Sequence, residues 1–288
     1  MSERNKILVT GGAGFVGSHL CEALAADPQN DVVSLDNYFT GSRDNHVDGV
    51  TYLEGHTADI ATLVSEPPQR VFHLGEYSRV EQSFAEPERV WDLNCRGTQA
   101  VVEYCRQHEA KLIYAGSSTK FAAGEPGRDQ SPYAWTKATN ADLIVNYGTW
   151  FGLEYAICYF YNVYGPREIA EGTYATVLGI FRAQHAAGKP LTVREPGTQR
   201  RNFTHVADIV AGLLLIGDRG QGDGYGLGAE DEYSILELAE MFGSDTVMLP
   251  GRPGNRSAAA LDTSRSSELG WKATRTVRSY VDAARGAG

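Results

Sequence analysis

The chain has 288 residues, 42% of them hydrophobic, a formal net charge of −10 and a pI near 5.2. That length accommodates one large core or two modest ones. The acidic balance argues against a nucleic-acid or anionic-membrane surface, which needs clustered lysine and arginine, but it allows an anionic small molecule held by a few local arginines.

In chain order, Met1 to Lys6 leads directly into a strand-like run, so no signal or transit peptide is expected. Ile7-Leu8-Val9 reads as a buried strand, Phe15 to Ala26 as a helix, and Val32 to Leu35 as a second strand. Val50 to Leu53 is a weaker third strand; Val71 to Leu74 and Lys111 to Ala115 are two more, separated by helical periodicity from Pro87 to His108. A helix over Tyr133 to Phe151 and a strand over Tyr155 to Phe160 complete the alternation. Short, continuous apolar strands separated by helices predict an α/β fold, a doubly wound parallel sheet covered on both faces. After Asn162 glycine, proline and arginine become frequent, and short helices are predicted at Ala175 to Ala187, Val206 to Ile216 and Ile235 to Phe242. The expected division is residues 1–162 for the sheet domain and 163–288 for a smaller, mainly ligand-binding lobe, with a later crossing between lobes allowed. No apolar run approaches the ~18–20 residues of a membrane helix. Cys21, Cys95, Cys105 and Cys158 are scattered without metal-type spacing, which fits reduced thiols in a cytoplasmic protein and no metal site.

Thr10-Gly11-Gly12-Ala13-Gly14-Phe15-Val16-Gly17 closes the first strand and opens the first helix. Glycines at this place permit a tight turn and let backbone N–H groups approach a pyrophosphate at a helix N-terminus. Asp36 ends the second strand about 20 residues on, where a carboxylate accepts from a ribose and repels a 2′-phosphate. The reading is NAD rather than NADP. Tyr133 and Lys137 stand one helical turn apart, and an ammonium beside a phenol favours the phenolate.

Together with Asp59-Ile60, Val71 to Leu74, Asn94 to Thr98, Ser117-Ser118, Tyr161 to Arg167, Arg201 to Phe203, Arg252 to Gly254 and Leu269 to Trp271, these motifs resemble the extended short-chain dehydrogenase/reductase family. Within it they are most similar to the NAD-dependent nucleotide-sugar epimerases and dehydratases. The resemblance implies a Rossmann domain with a smaller C-terminal α/β substrate lobe and a homodimer formed through the helices near Pro87–His108 and Tyr133–Phe151. It implies NAD held by Gly11, Gly14, Phe15, Val16, Gly17, Asp36, Asn37, Asp59, Ile60, Leu74, Gly75, Tyr133 and Lys137. Ser118 would bond the reacting sugar oxygen, Tyr133 would be the acid/base, and Lys137 would bind the nicotinamide ribose. Asn162, Arg201 and Arg252 would contact the diphosphate of a nucleotide sugar.

The residues after Ser118 select the reaction. The family's 4,6-dehydratases place Asp-Glu or Ser-Glu there and its decarboxylating members keep the glutamate; this chain has Thr119-Lys120. Elimination is therefore disfavoured, and 4-epimerisation is expected: oxidation at C4, turning of the keto sugar, and hydride return to the opposite face. The alternatives are a 4,6-dehydratase or 4-keto-sugar reductase on the same fold, or a non-catalytic NAD-binding regulator. Glu76 and Lys120 depart from the family's usual residues; both are expected at the sugar, either paired with each other or with Lys120 on a uronic-acid carboxylate. Ala259 is the expected gate for the sugar's 2-substituent, and its small size leaves room for an N-acetyl group. The substrates in view are UDP-hexose, UDP-N-acetylhexosamine and UDP-uronic acid.

Overall fold

The structure is a computed structural model that describes residues 4–121, 127–251 and 260–286. Its centre is a seven-stranded sheet. The first six strands are β1 (Asn5–Thr10), β2 (Asn30–Asp36), β3 (Val50–Glu54), β4 (Arg70–His73), β5 (Lys111–Ser117) and β6 (Tyr155–Phe160). They lie in the order β3-β2-β1-β4-β5-β6, and every pair is parallel. That is the doubly wound order, with its switch point between β1 and β4, and a ligand crevice forms outside the strand ends there.

Successive side chains of a strand point to opposite faces. Ile7 and Val9 join Leu20, Leu24, Phe72, Leu213 and Ile216 on one side. Leu8 joins Leu35, Leu112, Tyr114, Ile144 and Ile157 on the other. Both faces are therefore dry, which is why the strands read as continuous apolar runs. Leu8 is fully buried, and its truncation to alanine is a change of about 2–5 kcal/mol.

Helix α1 (Phe15–Ala25) begins at Gly14 with no side-chain cap. The helix Pro132–Phe151 has the opposite start: the Ser131 hydroxyl accepts from Ala134 N–H at 3.1 Å, and Pro132 occupies the first turn. It stops at Gly152, whose φ of 72° is left-handed. The expected helix over Pro87 to His108 is helical throughout but divided: Pro87–Val90, a π-type turn Trp91–Arg96, and Gly97–Gln107. The widened turn carries the buried Asn94, which accepts from Tyr77 N–H at 2.7 Å and donates to Tyr77 O at 3.2 Å and Thr136 Oγ1 at 3.0 Å. Hydrophobic periodicity does not report such a polar anchor.

The second lobe has its own core of Leu178, Phe181, Leu191, Val193, Leu238, Phe242 and Val281. The lobe boundary is not a single cut at residue 162. The helix Val206–Arg219 packs Ile209, Leu213 and Ile216 into the sheet-side core with α1. Strand Gly222–Leu227 then pairs parallel with β6 as the seventh strand. Residues 206–227 therefore pack with the central sheet.

Candidate active site

A cleft of about 450 Å³ opens at the carboxyl ends of the central strands. The glycine turn, Asp36 and Asn37 line one end. Leu74, Gly75, Glu76, Ser118, Thr119, Tyr133 and Lys137 line the middle, and Asn162 and Glu168 lie on the side of the second lobe.

The glycine turn is built for a close backbone approach. Gly11 has φ 75°, and a Cβ there would lie 2.9 Å from Gly75 Cα. At Gly17 a Cβ would lie 2.0 Å from Gly11 O. At Gly14 it would meet only Gly11 O, at 3.2 Å. Gly17 therefore serves the packing of helix on turn, whereas Gly14 leaves its open side to the cleft. With no side-chain cap on α1, first-turn N–H groups remain to hold an anion at the positive end of the helix. These features fit a dinucleotide pyrophosphate. Gly17→Val should lower the melting temperature, since overpacking costs about 1–3 kcal/mol. Gly14→Ala should lower the melting temperature less than Gly17→Val does and weaken NAD binding by about tenfold or more, as measured by fluorescence titration.

Asp36 is buried at the end of β2. Its carboxylate accepts from Ala13 N–H at 2.9 Å and Tyr38 N–H at 2.8 Å. Burial raises its pKa, and those two N–H donors oppose the rise. The carboxylate thus braces the glycine turn and still lines the cleft. Asn37 Oδ1 accepts from Phe39 N–H at 3.1 Å. Asp59 and Ile60 are not brought to the cleft wall: Asp59 is exposed in the turn Thr57–Asp59, and Ile60 is packed in the core.

At the other end Ser118 and Thr119 follow β5 and are buried. Thr119 Oγ1 donates to Ser117 Oγ at 3.0 Å. Tyr133 and Lys137 both reach the cleft from the helix Pro132–Phe151. The Lys137 ammonium donates to the Glu76 carboxylate and to Ala115 O. The two charged side chains are only 6% and 3% exposed. Glu76 Oε1 also accepts from Thr98 Oγ1 at 2.7 Å, Asn140 Nδ2 at 2.8 Å and Tyr114 OH at 3.1 Å. Burial alone would raise the Glu76 pKa; the neighbouring Lys137, His73 and these donors outweigh it and hold it below the usual carboxylate value. Glu76 therefore finds its ionic partner in Lys137. The Lys120 side chain, Arg252 and Ala259 lie outside the described residues.

Behind Glu76 a chain of hydrogen bonds runs back to the glycine turn. Because Thr98 donates to Glu76, it accepts from His73 Nε2–H at 2.9 Å, which leaves His73 Nδ1 to accept from Thr10 OH at 2.7 Å. Thr10 Oγ1 in turn accepts from Leu74 and Gly75 N–H, at 3.2 and 3.0 Å. This direction of bonding requires neutral His73, and burial lowers its pKa from 6.5 to about 4. A base depressed on folding contributes stability that is complete above 6.5 and is lost as pH falls through about 4, a change of about 3 kcal/mol. The urea midpoint should fall across that window, and His73→Asn should remove most of that slope.

Asn162 lines the cleft with φ 29° and donates to Asn202 O at 3.0 Å. Arg201 lies on strand Arg200–Asn202, paired with Glu232–Ser234, and is not among the cleft-lining residues. Sequence reasoning missed a wall of Phe39, Tyr77 and Tyr174, whose ring centroids lie 5.1–6.3 Å apart. Glu86 accepts from the hydroxyls of Tyr77 (2.9 Å) and Tyr174 (2.7 Å), and Arg79 Nε donates to Tyr174 O at 2.8 Å. It also missed Glu168, which accepts from Thr176 Oγ1 at 2.5 Å and whose pKa burial raises. These residues come from separate segments and form no local motif. The four cysteines are free thiols, and burial raises the pKa of each, to about 11 for Cys95, the least buried. Among the described residues no cluster of potential metal ligands is present, and no helix is long and apolar enough to cross a membrane.

The model of the NAD dependent epimerase/dehydratase family matches residues 7–228. UDP-glucuronic acid decarboxylase 6 of Arabidopsis thaliana is 29% identical over 93% of this chain and 84% of that protein. The UDP-glucose 4-epimerase of Thermus thermophilus, solved with NAD, is 29% identical with a TM-score of 0.85, over 98% of this chain and 100% of the other. The UDP-glucuronic acid 4-epimerase of Bacillus cereus, solved with UDP-glucuronic acid and NAD, is 25% identical with a TM-score of 0.85, over 98% of each chain.

Proposed function

The chain belongs to the NAD dependent epimerase/dehydratase family, an NAD-dependent enzyme family acting on nucleotide sugars, and from that premise we propose that it inverts C4 of a nucleotide sugar. The substrate is a UDP-hexose or UDP-N-acetylhexosamine, with UDP-uronic acid as the third candidate. The observation that carries this choice is the pair of residues after Ser118. Thr119 is a hydroxyl bonded to Ser117, and Lys120 comes next, so neither residue after Ser118 supplies a carboxylate to remove a C5 proton. Glu76, a carboxylate lining the cleft, is committed to Lys137 and three further donors.

The glycine turn, Asp36 and Lys137 hold the cofactor, which supplies a reversible oxidant at carbon. Ser118 positions the C4 oxygen. Tyr133 takes its proton during oxidation and returns a proton to the same oxygen after the sugar has turned. Asn162, on the cleft wall, and Arg252 hold the diphosphate, so the keto sugar stays bound while it rotates. The test is turnover in D₂O. Hydride return places no deuterium on carbon. Dehydration or decarboxylation places a solvent deuteron at C5, and finding it there would favour the lyase reading.

The protein acts as a cytoplasmic homodimer in this reading. Trp91 and Trp135 are exposed with ring centroids 5.1 Å apart. Trp150 and Phe151 are also exposed, and all four lie on the helices expected to meet a partner. Sedimentation equilibrium reads the mass directly.

A further inference from the structure

We propose that Arg79 is a specificity-determining residue that binds a carboxylate at C6 of the sugar, so that among the candidate substrates the nucleotide-linked uronic acid is preferred. The inference rests on the cleft holding a nucleotide sugar with its C4 at Tyr133.

Arg79 lines the cleft on the segment that follows β4. Nearby Tyr77 clusters with Val90 and Leu93, and the rings of Tyr133 and Tyr174 pack on the same cluster. Neutral groups alone fix the guanidinium on this wall. Its Nε donates to Tyr174 O at 2.8 Å, and its Nη1 donates to Ser78 O at 3.0 Å and Ser78 Oγ at 3.1 Å. Gln82 Nε2 donates to Thr173 O at 2.6 Å and pins the same stretch of chain. Nη2 makes no hydrogen bond among the described residues, and it is not one of the polar atoms sealed from solvent.

Among the described residues no carboxylate forms an ion pair with Arg79. Glu86, on the same wall, pairs with Arg89 at 2.9 Å and accepts from the hydroxyls of Tyr77 and Tyr174. Glu76 pairs with Lys137. Glu168, which acts on the Arg79 charge from the second lobe, accepts from Thr176 Oγ1 at 2.5 Å. Burial lowers the Arg79 pKa, and Tyr133, Tyr77, Glu168 and Tyr174 oppose the fall. Arginine stays protonated all the same, so a partly buried cation stands on the cleft wall with no counter-ion in contact, which is costly. A ligand carboxylate would supply one, and the open Nη2 edge offers the planar donors that such a group takes.

The place of the cation selects the group it meets. In the proposed reading the glycine turn takes the cofactor's pyrophosphate, and Asn162 and Arg252 take the diphosphate of the sugar nucleotide. The anion left for Arg79 is on the sugar itself. C6 of a hexuronic acid lies two bonds from C4, so a sugar held with C4 at Tyr133 brings its carboxylate within reach of the wall on which that ring packs.

The test is calorimetric titration of the NAD-loaded protein with UDP, UDP-glucose and UDP-glucuronic acid. The wild type should bind UDP-glucuronic acid more tightly than UDP-glucose. Arg79→Gln should reduce the ratio of those two affinities by about 30-fold or more, the loss expected when one member of a desolvated charge pair is removed. Arg79→Lys keeps the charge without the fork and should reduce the ratio by less, about tenfold. It carries the test alone if the glutamine variant does not fold. Equal losses for the two sugar nucleotides would show that Arg79 only braces the Tyr174 segment. A loss of the same size with UDP alone would make it a diphosphate ligand. Either result overturns the proposal, as does a wild type that binds the acid no better than UDP-glucose. Affinity is read whether or not the sugar is turned over, so a protein that shows the change in ratio but never epimerises UDP-glucuronic acid refutes the proposed reaction alone.

Discussion

Tyr133→Phe is expected to lower turnover by about 10³-fold, within the 10²–10⁴ range for loss of a positioned acid/base, while NAD binding and folding stay near wild type. The phenol oxygen is the only atom removed, and the ring keeps its packing against Tyr77, Val90 and Leu93. Two described cleft residues are already committed elsewhere. Thr119 is tied to Ser117, and the Glu76 carboxylate is enclosed by Lys137, Thr98, Tyr114 and Asn140. The loss should appear in kcat, since the missing proton transfer belongs to the transition state. Single-turnover kinetics with bound sugar nucleotide, alongside an NAD titration of the same variant, separates this result from a binding defect.

The second large effect concerns the pair beneath the tyrosine. Lys137→Met should destabilise the fold by about 3–5 kcal/mol, because it strands a buried carboxylate. Glu76→Leu should cost a similar amount by stranding the ammonium. The double variant should recover much of either loss, since replacing a buried ion pair by apolar side chains is often close to neutral. Urea unfolding of the four proteins measures the coupling. All three variants should be impaired in catalysis, because each removes the ammonium or its anchor. Additive losses in the double variant would show that the two side chains stabilise the fold independently.

How much of this was legible in the sequence depended on whether the physical demand was local. The turn Thr10 to Gly17 was readable because the positive φ at Gly11 and the close approach at Gly17 dictate residue type on the spot. Asp36 was readable for the same reason, standing at a fixed place at the end of β2. The Tyr133–Lys137 spacing placed both residues on one helix, and both reach the cleft. The partner of Glu76 was not readable, because it lies 61 residues away on another element. The expectation of a Glu76–Lys120 pair came from chain position near one pocket, whereas the fold brings Lys137 to the carboxylate. The seventh strand Gly222–Leu227 was missed because three of its six residues are glycine, so it shows neither alternation nor an apolar run. Asp59 and Ile60 were placed at the adenine by resemblance alone, and their side chains lie away from the cleft wall. The aromatic wall needed tertiary contact between residues 39, 77 and 174.

The most direct test of the central claim is to incubate the purified protein with a panel of UDP-, GDP-, CDP- and dTDP-sugars and follow the anomeric protons by NMR. The account predicts that one nucleotide sugar, a UDP-hexose, UDP-N-acetylhexosamine or UDP-uronic acid, is converted to an equilibrium pair of C4 epimers, with no accumulation of NADH. A 4-keto-6-deoxy sugar, a pentose formed with loss of carbon dioxide, or no change in any member of the panel would contradict it.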